Sequence, residues 1–172
     1  MESHFGLTDR VISGTLVTRR GVDQAMPQDS TISGIDHVEL YVTDWDNAAS
    51  WYERVLGLTP DTSFEEWWGS ESGPLVLSVD ETTKLALFER ESATRGAKVS
   101  PHRVAFQTDV DGFLSFIDRL ERLELTDRDG DRVTPEDVVD HDLSYSLYFT
   151  DPDGNCLELT TNDYDAVSTR IR

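Results

Sequence analysis

Apolar positions alternate with polar ones over Ile35-Asp36-His37-Val38-Glu39-Leu40-Tyr41-Val42, the two-residue period of a half-buried strand. The period then changes. Trp45, Ala48, Ala49, Tyr52, Val55 and Leu56 recur at helical spacing, with Asp44 placed to cap the start and Gly57 to stop the end. Three further strand candidates follow: Phe64–Trp68, Leu75–Val79 and Leu85–Glu89. The order is βαβββ. The same order returns after residue 100. His102 to Thr108 reads as a strand. Asp109 or Asp111 caps a helix with Phe113, Phe116, Ile117, Leu120 and Leu123 on one face, and strands are expected at Arg132–Val139, Tyr145–Thr150 and Asn155–Thr160.

The repetition is visible residue by residue. At an offset of 65, His37 falls on His102, Asp44 on Asp109, Ser50 on Ser115, Arg54 on Arg119 and Leu58 on Leu123. Near the module ends an offset of 71 fits better, placing Asp80 on Asp151 and Leu87 on Glu158. Such a self-match implies a duplicated βαβββ unit, and hence an α+β fold of two βαβββ modules. The organisation expected is an N-terminal extension at 1–32, one domain at 33–162 (modules 33–90 and 100–162), and a C-terminal tail at 163–172. Val11-Ile12 and Leu16-Val17 could add a short strand within the extension.

Composition narrows the partners. The chain has 172 residues and a formal net charge of −19, with 21 Asp and 13 Glu against 13 Arg and 2 Lys. Nucleic acid and anionic membrane surfaces are excluded as expected partners, because both require basic residues to neutralise phosphate. Lysine scarcity beside dense aspartate matches proteins of salt-rich cytoplasm. At about 1 M salt the Debye length is about 3 Å and a crowded acidic surface no longer repels itself. A halophilic, cytoplasmic protein is therefore expected. The first residues hold no signal-peptide core, and no run approaches the roughly 20 apolar residues of a membrane helix. The single cysteine, Cys156, has no internal partner for a disulfide.

Three stretches resemble the vicinal-oxygen-chelate superfamily of glyoxalases, bleomycin- and fosfomycin-resistance proteins and extradiol dioxygenases. They are Ile35-Asp36-His37-Val38 with Trp51-Tyr52-Glu53-Arg54-Val55-Leu56-Gly57-Leu58; Pro101-His102-Arg103-Val104-Ala105-Phe106; and Asp140-His141 with Ser146-Leu147-Tyr148-Phe149-Thr150-Asp151-Pro152-Asp153-Gly154-Asn155-Cys156-Leu157-Glu158-Leu159. The resemblance implies paired modules whose curved mixed sheets form a cleft. It also implies a divalent metal held by His37, His102 and Glu158. Two imidazoles and a carboxylate suit Fe2+ or Mn2+, and Ni2+, Co2+ or Zn2+ accept the same donors.

The same resemblance distributes further roles. Glyoxalase-type members carry a second glutamate on the last strand of the first module. Leu87 occupies that place by offset, which leaves Glu89 as the possible fourth ligand. Extradiol dioxygenases place a tyrosine ten residues before the ligand glutamate, which is Tyr148 here. Their acid-base histidine is missing from the first module, so His141, flanked by Asp140 and Asp142, is the spare imidazole. Trp67, Trp68, Phe88 and Phe106 either line the cleft for substrate or belong to the core. Cys156 either faces the cleft or is a small buried hydrophobe. The expected activity is that of a metal-dependent enzyme on a small oxygen-rich molecule, leaning to ring-cleaving dioxygenase. A glyoxalase-like lyase or isomerase, or a metal-free bleomycin-resistance-type binding protein, stands as the alternative. Members of the superfamily pair, so a homodimer is expected by analogy.

Overall fold

The structure is a computed structural model, describing residues 34–68, 73–90 and 102–171. The expectations for the N-terminal extension lie outside these residues.

Each module is a four-stranded mixed sheet covered on one face by a helix. In the first, β1 (His37–Val42) leads into α1 (Trp45–Leu56), followed by β2 (Thr59–Pro60), β3 (Leu75–Ser78) and β4 (Lys84–Glu89). In the second, β5 (Arg103–Gln107) leads into α2 (Val110–Leu123), then β6 (Val139–Asp140), β7 (Tyr145–Thr150) and β8 (Cys156–Thr161), and a short α3 (Tyr164–Ser168) closes the chain. The sheet orders are β1-β4-β3-β2 and β5-β8-β7-β6. The first strand runs parallel to the last in each module, and the other pairs are antiparallel. The expected α+β architecture of two βαβββ modules is thus the observed one.

The helices start and stop where their local chemistry requires. Asp44 accepts from the Asn47 backbone N–H, and Asp109, of the two candidates, accepts from Gly112. Each carboxylate satisfies one of the donors that a helix start leaves free. α1 ends at Gly57 in the left-handed region (φ 74°), where glycine has no Cβ penalty. α2 reaches the same region through Glu124 (φ 52°).

Two strand expectations fail for local reasons. Phe64–Trp68 lies in a 3-10 helix (Thr62–Trp67), because the Asp61 carboxylate accepts from the Ser63 backbone and turns the chain after Pro60. The Arg132–Val139 strand shrinks to an isolated bridge at Arg132 and the two residues of β6. Between them Pro135 opens another 3-10 turn, and the Asp137 carboxylate accepts from the Thr134 N–H and hydroxyl. A proline cannot donate to a ladder, so this stretch cannot pair continuously.

One hydrophobic core joins the two helical faces. Tyr52, Val55, Leu85, Leu87, Phe113, Leu120, Leu147 and Leu157 are each at most 1% exposed. Each such side chain contributes about 1.5–3 kcal/mol through its burial. Trp51 of α1 and Phe116 of α2 both approach Phe149 of β7, at ring-centroid distances of 6.3 and 5.6 Å. The helices also exchange hydrogen bonds. Arg119 donates to the Val55 carbonyl at 2.9 Å, and Arg54 donates to the Leu123 carbonyl at 3.5 Å. These arginines matched at the offset of 65, and each reaches the last turn of the other's helix, where free carbonyls and the negative dipole end attract a cation.

Candidate functional site

Strand alternation divides each sheet into a face against the helices and an open face. In the first module Val38, Leu40 and Val42 of β1 go inward with Leu85 and Leu87 of β4, leaving His37, Glu39 and Tyr41 opposite Lys84, Ala86 and Phe88. In the second, Val104 and Phe106 go inward with Leu157 and Leu159. Arg103, Ala105 and Gln107 then share the open face with Cys156, Glu158 and Thr160.

This phase changes which residues are equivalent. Val38, Leu40 and Val42 correspond to Val104, Phe106 and Thr108, an offset of 66 rather than 65. The helix caps Asp44 and Asp109 keep the offset of 65, so the second module is one residue shorter between strand and helix. The strand counterpart of His37 is therefore Arg103. His102 lies one residue before β5 and is exposed, out of step with the face that carries Glu158. A one-residue slip moves every side chain to the other face. Among the described residues no group of three or more His, Cys, Asp and Glu is placed to hold a metal ion. The expected set of His37, His102 and Glu158 is not brought together.

At the strand counterpart of His37, Arg103 places its guanidinium 3.9 Å from the Glu158 carboxylate and 4.2 Å from the Tyr148 ring centroid. Glu158 also accepts from the Ser146 hydroxyl at 2.7 Å. A guanidinium has no lone pair to offer and stays charged at any pH a protein survives. It puts a positive charge beside Glu158. The donor set does not fit a divalent metal held by two histidines and a glutamate.

Glu89 likewise falls out of phase. It follows Leu85 and Leu87 in the inward alternation of β4, is exposed, and pairs with Val42 at the strand end. The open-face counterpart of Glu158 is Ala86, which cannot bind a metal.

Tyr148 and His141 do come together. Tyr148 lies directly across from Glu158 in the β7–β8 ladder, and its hydroxyl is 2.8 Å from Nε2 of His141. The loop carrying His141 is fixed by its neighbour. Asp140 accepts from the Asp142 backbone and from the Tyr145 and Tyr164 hydroxyls. The two tyrosine rings stack at 5.0 Å. Those hydrogen bonds, the Asp142 N–H first, hold the Asp140 carboxyl below its ordinary range, while burial and the same network push Tyr145 up to about 12.

The first module's open face is different in kind. Its cavity of about 180 Å³ is lined by Phe64, Trp67, Val76, Ala86 and Phe88, with Asp36, His37 and Lys84 at its polar side. His37 donates from Nδ1 to Asp36 at 2.8 Å, and its Nε2 lies 3.7 Å from Glu39. The Asp36 hydrogen bond, more than any other cause, raises the imidazole's pKa. Of the four aromatic residues expected near substrate, Trp67 and Phe88 line this cavity, whereas Trp68 and Phe106 pack against the core. The Trp68 indole N–H is buried with no hydrogen-bond partner among the described residues.

Sequence reasoning missed Arg103, Phe64, Lys84 and Ala86. The signal for Arg103 was present in the strand alternation, which favours an offset of 66. The signal for Phe64 was hidden because a 3-10 helix has no period that a short window reveals.

A sequence model of the Glyoxalase/Bleomycin resistance protein/Dioxygenase superfamily matches residues 34–159. No curated protein matches by sequence. Among solved structures the chain is similar to the oxidase ChaP-H2, at 22% identity and a TM-score of 0.56 over 80% of this chain and 99% of that one. It is also similar to a mutant fosfomycin resistance protein, FosX, from Listeria monocytogenes, complexed with Mn(II) and a dihydroxypropylphosphonic acid. There the identity is 17% and the TM-score 0.57, over 78% of this chain and 96% of that one. A third similar structure is an integron cassette protein from the mobile metagenome of the Halifax Harbour sewage outfall, at 20% identity and a TM-score of 0.53, covering 76% and 99%. At these identities the structural likeness establishes the fold, and the family model, which spans most of the chain, establishes the lineage: this chain belongs to the Glyoxalase/Bleomycin resistance protein/Dioxygenase superfamily.

Proposed function

We propose that this chain binds a small organic molecule without a resident divalent metal, in the manner of the bleomycin-resistance members of its superfamily. The observation that carries this reading is Arg103, the strand counterpart of His37, whose guanidinium stands 3.9 Å from Glu158. Ring-cleaving dioxygenase and glyoxalase-type chemistry both rest on a three- or four-donor metal centre. The open faces keep only His37 and Glu158 of that centre. No helix among the described residues is long and apolar enough to cross a membrane. A homodimer of halophilic, cytoplasmic character belongs to the same proposal.

Elemental mass spectrometry on untagged protein, reloaded with Fe2+ or Mn2+ under anaerobic conditions, tests the reading. Substoichiometric metal is expected. R103H, which sets an imidazole beside Glu158, should bind Mn2+ or Zn2+ about tenfold more tightly than the wild type. Stoichiometric metal in the wild type, lost in E158Q, would overturn the proposal and return the dioxygenase reading.

A second reading rests on the 2.8 Å contact between His141 and Tyr148. That pair is within the distance needed to pass a proton between phenol and imidazole, so metal-independent acid-base catalysis on a bound ligand is available to the second module. Loss of turnover in Y148F, with ligand affinity kept, would separate catalysis from binding.

A further inference from the structure

We propose that the first-module cavity takes a single aromatic ring bearing an anionic oxygen, with the ring against Trp67 and Phe88 and the oxygen at Lys84. This deepens the reading above and rests on it.

Size sets the first limit. The cavity is about 180 Å³. A buried void of about 150 Å³ accepts benzene, whereas drug-sized ligands need roughly 300–1,000 Å³. The recess has room for one ring. Shape and chemistry set the second. Phe64, Trp67 and Phe88 supply ring faces and edges, while Val76 and Ala86 form an aliphatic floor. Ala86 matters by its smallness, since its counterpart in the second module is Glu158.

Charge sets the third limit. The chain has two lysines, and one of them, Lys84, lies on this wall. Its ammonium stands 5.6 Å from the Phe64 ring centroid and makes no ion pair among the described residues. The nearby carboxylates are engaged elsewhere. Asp36 accepts from His37, and Asp61 from the Ser63 backbone and the Ser78 hydroxyl. A protein of net charge −19 should attract cations at long range. This cavity instead offers an ammonium without an ion pair among the described residues, beside an Asp36 carboxylate that His37 already holds, and an ammonium on an apolar wall selects an acceptor oxygen over an amine.

Benzoate and benzylamine are equal in ring and opposite in charge, so they pit the local lysine against the global field. Calorimetric titration of the full chain at fixed ionic strength is expected to show saturable benzoate binding, at least about tenfold tighter than benzylamine. K84M should remove that preference, leaving benzoate no tighter than benzyl alcohol, while circular dichroism confirms the fold. Cyclohexanecarboxylate should bind more weakly than benzoate, because it lacks the ring quadrupole. Benzylamine binding as tightly as benzoate, K84M retaining wild-type benzoate affinity, or no saturable benzoate binding at millimolar concentration would each overturn the inference. Repeating the titration in EDTA distinguishes the two readings. Benzoate binding abolished by EDTA sinks the metal-independent function itself, whereas EDTA-resistant binding that ignores K84M sinks only the assignment to this cavity.

Discussion

Module one presents Phe64, Trp67, Val76, Ala86 and Phe88 on its open face, with Lys84 beside them; module two presents Arg103, Ser146, Tyr148 and Glu158. The inward faces are nearly interchangeable, with Val, Leu and Phe at matching strand positions. The inward residues share one core, where a change in volume is felt by every neighbour, so duplication leaves them little freedom. The open faces answer only to a ligand and to water. They have diverged into an apolar recess and a charged platform.

The largest break in this comparison is expected at the module junction. Asp80 and Asp151 match at an offset of 71, and both carboxylates pin a turn. Asp80 is exposed, and the Thr82 backbone N–H, ahead of that of Thr83, lowers its pKa. Asp151 is 4% exposed. Tyr52 from α1 donates to it at 2.9 Å, and Asn155 and the Asp153 backbone also donate. Removing it strands several buried donors at once. Asp151→Ala should therefore cost about 2–4 kcal/mol, read as a Tm lower by roughly 5–10 °C. Asp80→Ala should lower the Tm by clearly less than Asp151→Ala does. Equal losses in the two variants would refute the distinction between the turns.

A smaller effect is expected where the helices exchange arginines. Arg119 reaches Val55 at 2.9 Å, whereas Arg54 reaches Leu123 only at 3.5 Å. Arg119→Ala should cost about 1 kcal/mol and Arg54→Ala less than half of that, measured by urea unfolding. The reverse order would mean that the longer bond is the stronger anchor.

The smallest effect is a matter of sign. Burial raises the pKa of Asp151, while turn hydrogen bonds lower that of Asp80. Asp80 contributes stability above its unfolded pKa and loses it as pH falls through the folded value. Asp151 behaves oppositely: its contribution grows as pH falls from the folded value toward the unfolded one, and is lost as pH rises. Carboxyl-carbon NMR titration should find Asp151 above and Asp80 below the ordinary aspartate value of 3.8. Both titrating on one side would show that burial does not separate them.

Much of this was legible beforehand, and the particular residues explain why. Asp44 and Asp109 cap helices because capping is settled within four residues of chain. Tyr145–Thr150 pairs along its full predicted length because its alternation is uninterrupted. The 3-10 segment at Thr62–Trp67 was not legible, because its turn depends on Asp61 accepting from a backbone two residues on rather than on any apolar period. The candidate site suffered most from a one-residue difference. His102 and Arg103 are neighbours in sequence, and the repeat aligns either with His37 according to whether helices or strands are matched.

The sequence by itself determined the duplicated βαβββ plan, the helix limits, the acidic surface and the superfamily, since each rests on local periodicity or short motifs. Only the tertiary structure decided which face each strand residue occupies, that Arg103 rather than His102 meets Glu158, and that Phe64, Trp67 and Phe88 close around a recess beside Lys84. The physical reason is register. A strand alternates every residue, so the identity of a site turns on a single position that pairing with β4 and β8 fixes and that the chain alone leaves open.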